Sequence, residues 1–133
     1  DASLQLDRLC RGNGIAYFHF LQPNQYLPDS KPLTARERRV AFDPAHPYRA
    51  GVAAGYPLLA AAGRELAASG VAFLDLSGAF REVTQTLYVD DCCHYNAEGY
   101  AILADAMAAF ILERMGGPAG ARDAAQPGAP VER

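Results

Sequence analysis

The chain has 133 residues, half of them apolar and a fifth charged, a balance that fits one small globular domain and excludes a disordered chain. The net charge is -3, and the densest basic run, Arg-Glu-Arg-Arg at 36–39, is interrupted by Glu37 and reads as a solvated helix face, so nucleic-acid binding is disfavoured. No signal peptide and no membrane span can be read from the apolar stretches, which Gly, Asp or Glu break within a few turns.

The opening segment places Leu4, Leu6, Leu9 and Cys10 as the apolar positions of a helix that stops at Gly12 or Gly14. The run 15–21 is almost unbroken apolar and aromatic, and predicts a strand buried on both faces. A loop follows over 22–33, where three prolines join Asn24, Asp29 and Ser30 as breakers. Thr34 with Glu37 three residues later forms the pattern of a capping box and opens a short helix. Residues 42–51 read as loop. A helix over 56–68 starts with Pro57 in its first turn, carries Leu59, Ala62 and Leu66 on one face, and ends at Gly70. Residues 71–76 predict a second buried strand. The loop 77–95 leads into a final helix over 97–114, with Tyr100, Leu103, Met107, Phe110 and Ile111 as its core stripe. The tail, 116–133, is rich in Gly, Pro and Ala and reads as disordered.

Helix into buried strand, twice over, is the order of an α/β fold with a parallel sheet. Apolar strands of this kind need neighbours on both sides and helices on both faces. An exposed hydrophobic edge invites pairing. The expectation is therefore that further strands belong on the N-terminal side of Asp1. The start at Asp1 rather than Met agrees with a piece of something longer.

The segment 88–100 concentrates the chemistry. Asp91 and His94 stand in an Asp-x-x-His spacing just before the last helix. A carboxylate so placed can hold the imidazole in one tautomer and stabilise the imidazolium. Asp90 reads as a solvated neighbour, or as the true partner if the turn is shifted by one residue. Asn96 suits the N-cap of the following helix, and Glu98 its positive end. Gln22 and Asn24 follow the C-terminal end of a parallel strand, where ligands bind in open α/β sheets. They are candidates to face substrate, with turn-forming hydrogen bonds as the alternative. His19 reads as a hydrogen-bonded core histidine and His46 as loop. Adjacent Cys92 and Cys93 lack a second ligand pair at zinc spacing, so no metal is assigned. Neighbouring cysteines rarely pair with each other because the ring is strained. A bridge from Cys10 to either is open, with reduced thiols as the default.

Asp91-x-x-His94-x-Asn96-x-x-Gly99-Tyr100 before an apolar helix resembles the last block of SGNH/GDSL hydrolases. The segment 20–28 also resembles the strand and loop that precede this block in many bacterial members. The resemblance spans roughly residues 1–113, and it implies a three-layer α/β/α, flavodoxin-like fold with a parallel sheet. Only the C-terminal part would be present, over 1–115. It further implies that Asp91 and His94 complete a Ser-His-Asp triad acting on acyl or carbohydrate esters, without a cofactor. The family's serine follows Gly-Asp, whereas Ser3, Ser30, Ser69 and Ser77 do not. The oxyanion-hole Gly and Asn that lie between the serine block and this half are absent too. The partner expected is the missing N-terminal part of the same domain. The alternative is a non-catalytic α/β binding module that associates through its open sheet edge.

Overall fold

The computed structural model describes residues 2–116, and the predicted disordered tail falls almost wholly outside them. The elements run α1 (Ala2–Gly12), β1 (Phe18–Leu21), α2 (Ala35–Val40), α3 (Tyr48–Ala68), β2 (Ala72–Asp75) and α4 (Ala97–Gly116). This is a mixed helix and strand fold in which β1 and β2 pair in parallel, Phe18 opposite Ala72 and Leu21 opposite Asp75.

The helix-to-strand junctions follow from two glycines. Gly14 and Gly70 sit at φ of 70° and 89°, the left-handed region open to a residue without Cβ. Ile15 N then reaches back to Cys10 O, and Val71 N to Leu66 O, at 2.9 and 3.0 Å, satisfying carbonyls that a helix end leaves open. Arg11 pins the two junctions together: its Nε donates to Asp7 at 2.8 Å and its Nη2 to Gly70 O at 2.7 Å.

Helix α3 is longer than the sequence pattern predicts. It begins at Tyr48, so Pro57 lies inside it rather than in its first turn. The added turns, Tyr-Arg-Ala-Gly-Val-Ala-Ala-Gly, show little burial, so no apolar stripe marks them in the sequence. Alanine propensity and a side-chain acceptor at the helix start, His46 Nδ1 taking the Tyr48 N–H at 3.1 Å, support them instead.

The side chains of β1 alternate between helices. Phe18 and Phe20 meet Phe110 of α4 edge-on, with ring centroids 6.3 and 6.0 Å apart. His19 and Leu21 line a hollow of about 240 Å³ together with Leu59 and Gly63 of α3, Phe73 and Ser3. Gly63 lets α3 pack against Phe73 of β2, because a Cβ there would fall within the Phe73 ring. The sequence predicts strands buried on both faces. Instead every residue of β1 is half-buried and Asp75 of β2 is exposed. Two strands of four residues expose an edge on each side, and no third strand pairs with them among the described residues.

The fully buried core lies beside the sheet rather than across it. Ala41, Leu76, Phe80, Leu87, Tyr88, Tyr95 and Leu103 form one cluster, with Phe20 and Leu74 packed against it. The predicted stripe of α4 is rotated by one position at its start. Gly99 and Leu103 are buried while Tyr100 is 52% exposed. Gly99 takes the inward place because its Cα lies against Tyr95, where an added Cβ would stand 2.8 Å from the Tyr95 Cβ.

Candidate functional site

The segment 87–96 doubles back on itself. Val89 N donates to His94 O at 3.1 Å and Asn96 N to Leu87 O at 2.8 Å, with Tyr88 and Tyr95 bridged antiparallel. The tip holds Asp90, Asp91, Cys92 and Cys93, and Cys93 takes φ of 85°. A left-handed backbone at a residue other than glycine needs local support. Asp90 provides it, since its Oδ1 accepts from Cys92 N at 2.9 Å and from His94 N at 3.3 Å. Aspartate favours such a turn because its short carboxylate reaches the amide two residues on.

The same carboxylate binds the imidazole. Asp90 Oδ2 lies 2.7 Å from His94 Nδ1. The expected partner, Asp91, does not make this bond; its carboxylate points toward His46, 4.0 Å from Nε2. The ring therefore meets the carboxylate four positions back rather than three. His94 remains 59% exposed at its side chain, and with Nδ1 engaged, Nε2 is the nitrogen turned to incoming groups. The hydrogen bond to the His94 ring holds the Asp90 carboxyl below its ordinary value against the opposing effect of burial, with the His94 and Cys92 amides assisting.

A buried ion pair holds the base of the turn. Glu37, fully buried in α2, accepts from Leu87 N at 2.8 Å and Tyr88 N at 3.0 Å through Oε1. Its Oε2 accepts from Thr34 N at 2.8 Å and Lys31 Nζ at 3.1 Å. Burial would push this carboxyl up, but the three backbone amides and the Lys31 ammonium hold it below the usual range. The predicted capping box is present, with Thr34 Oγ1 accepting from Glu37 N. What the sequence does not disclose is that the same carboxylate reaches fifty residues onward to the turn.

Further ties join the turn to the loop after β1. Gln25 Nε2 donates to Ala41 O and to Asp90 O, at 3.1 and 3.2 Å. Tyr95 Oη donates to Pro23 O at 2.6 Å, and Leu76 N bonds Leu21 O at 2.8 Å. The His94 turn therefore stands at the C-terminal end of the parallel sheet, the end where open α/β sheets bind ligands. Asn96 caps α4 as predicted, its Oδ1 accepting from Gly99 N at 2.9 Å and its Nδ2 donating to Thr86 O at 2.7 Å.

Gln22 and Asn24 differ in exposure, although both reach Tyr56. Gln22 is exposed beside the turn, and its carbonyl accepts from Tyr56 Oη at 3.1 Å. Asn24 is buried and builds the loop itself, its Oδ1 accepting from Tyr26 N at 2.9 Å and its carbonyl from Ser30 Oγ at 2.8 Å. Tyr56 is pushed up to about 12, chiefly by burial and then by Cys93. Tyr88 is fully buried with an Oη that lacks a hydrogen-bond partner among the described residues, and burial pushes its hydroxyl up strongly.

His19 is half-buried and bonds Tyr17 Oη through Nδ1 at 2.9 Å. His46 lies in the loop as predicted, where it stacks on Tyr26 at 5.3 Å and stands beside Asp91. Arg36, Arg38 and Arg39 are exposed around buried Glu37. Ser77 sits in the turn after β2, its amide donating to Asp75 at 2.9 Å. The three cysteines are free thiols. Among the described residues, no three His, Cys, Asp or Glu side chains group as a metal site, and no helix is long and apolar enough to cross a membrane.

Compared with family models, curated proteins and solved structures, the chain matches none.

Proposed function

We propose that this chain is the C-terminal part of an SGNH/GDSL-type serine ester hydrolase with a three-layer α/β/α fold, supplying the base and its carboxylate. The observation that carries the reading is the 2.7 Å bond between His94 Nδ1 and Asp90, on a braced turn at the C-terminal end of a parallel sheet. In this reading His94 Nε2 takes the proton of a serine hydroxyl as the serine attacks the ester carbonyl. The imidazolium so formed is stabilised by Asp90 and then protonates the departing alcohol. Water repeats the sequence on the acyl-enzyme, with His94 again as base. Asp90 takes the orienting role that the Asp-x-x-His pattern gives to Asp91, while Asp91 and exposed Gln22 border the site. The serine and the oxyanion donors come from residues outside the 133, since no serine here follows Gly-Asp. The substrate class, an acyl or carbohydrate ester, rests on the resemblance.

The test is ester hydrolysis by the protein extended upstream of Asp1, with p-nitrophenyl acetate as substrate. His94→Ala is expected to lower kcat by a factor on the order of 10³ or more. An unchanged kcat in a folded His94→Ala variant would overturn the reading. The half-buried β1 and β2 support a second reading, a module that self-associates through its sheet edge. That reading requires a stable oligomer with no dependence on His94.

A further inference from the structure

We propose that Cys92 and Cys93 form a thiol modification site, a vicinal dithiol that low-molecular-weight disulfides oxidise reversibly to a Cys92–Cys93 disulfide. The inference is independent of the hydrolase reading.

Three observations carry it. The two cysteines are adjacent at the tip of a turn, one exposed and the other half-buried, and both are free. Cys92 acts on the Cys93 thiol closely enough to raise it, which fits two side chains that are neighbours in space. The backbone that does this is uncommon: Cys93 sits at φ of 85° while Asp90 grips Cys92 N at 2.9 Å and His94 N at 3.3 Å. In an extended segment neighbouring side chains point to opposite faces, so adjacency alone would not bring the sulfurs together.

The chemistry is ordinary thiol–disulfide exchange. The Cys92 thiolate attacks one sulfur of oxidised glutathione. An S–S bond forms between Cys92 and glutathione, and one glutathione thiolate leaves. The Cys93 thiolate then attacks the Cys92 sulfur, closes the eight-membered ring and releases the second glutathione. Two protein thiols are oxidised and one glutathione disulfide is reduced to two thiols. Exposure makes Cys92 the entry point. Burial first, then Cys92 and Asp90, push the Cys93 thiol up, so closure quickens as pH rises. Adjacent Cα atoms joined by a trans peptide stand about 3.8 Å apart, short of the roughly 4.4–6.8 Å that relaxed disulfides span. The strain disfavours a permanent bridge and favours one that a reductant reopens.

The experiment treats the full chain, folded, with oxidised glutathione and maps the tryptic peptide 82–114, which contains both cysteines. The expected product is that peptide lighter by two hydrogens, restored by dithiothreitol, with Cys10 still open to alkylation. Cys93→Ser should strand a glutathione adduct on Cys92. In urea, closure should slow at least tenfold and the mixed disulfide should accumulate. Phenylarsine oxide, which bridges closely spaced thiols, should block the reaction at one arsenic per chain. Stable glutathione adducts on the wild-type pair would overturn the proposal. So would a bridge to Cys10, an unreactive pair, or closure equally fast in urea.

Discussion

Replacing Glu37 by glutamine changes one atom in a fully buried side chain and tests how the His94 turn is held. The carboxylate accepts four hydrogen bonds and neutralises Lys31, whose side chain is itself fully buried. A carboxamide can keep only one acceptor oxygen. If that oxygen faces Leu87 and Tyr88, the new NH2 meets Thr34 N and Lys31 Nζ, two donors. If it is flipped, the NH2 meets two backbone amides instead. Either way a buried ammonium loses its counter-charge, which costs about 3–5 kcal/mol, a large share of the roughly 5–15 kcal/mol that stabilises a typical domain. Urea unfolding followed by circular dichroism at pH 7 measures the cost. The Lys31→Met/Glu37→Gln double variant should lose less than the sum of the single losses, because the ammonium left unpaired by Glu37→Gln is then gone. A loss below about 1 kcal/mol for Glu37→Gln would refute the reasoning, because an unpaired buried charge cannot be that cheap. The same group sets an acid limit. Its carboxyl is held below the ordinary 4.5 in the fold, so its contribution is complete above about that pH. It is lost as pH falls through the lowered folded value.

Gly63→Ala drives a methyl into the Phe73 ring and should cost about 1–3 kcal/mol by displacing α3 from the sheet; thermal unfolding reads it, and an unchanged Tm would mean that α3 does not pack at Gly63. At high pH the burial of Tyr56, Tyr88 and Tyr95 acts in one direction. All three are raised above the ordinary 10, Tyr56 to about 12. The fold therefore keeps protons that the unfolded chain releases, and stability should fall as pH rises from about 10 through 12. Ultraviolet titration should show part of the tyrosine signal appearing only with unfolding. In the upstream-extended protein, Asp90→Asn should lower kcat for ester hydrolysis far more than Asp91→Asn, because only Asp90 bonds Nδ1; the reverse order would return the orienting role to Asp91.

The parts legible in the sequence are those decided by near neighbours. Gly14 and Gly70 end helices because the left-handed region favours glycine, and the Thr34–Glu37 box and the Asn96 cap are satisfied within three residues. The start of α3 was hidden because its added turns are exposed and carry no apolar period. The apolar runs mark β1 and β2 but overstate their burial, since burial depends on how many strands flank them. Asp90 enters the sequence reading only as the alternative partner to Asp91, and it is Asp90 that bonds His94. The choice between the two aspartates depends on the shape of the turn, and its left-handed Cys93 has no signature in the residue type. Glu37 reads as a cap and is one, but its second role joins residues fifty apart, beyond any local pattern.

In the proposed function His94 serves as the base for a serine lying outside these residues. Labelling the upstream-extended protein with a fluorophosphonate probe tests it most directly. One labelled serine is expected, after Gly-Asp and outside Ser3, Ser30, Ser69 and Ser77, with labelling lost in His94→Ala. Labelling at one of those four serines, or an extended, folded protein that takes no label, would contradict it.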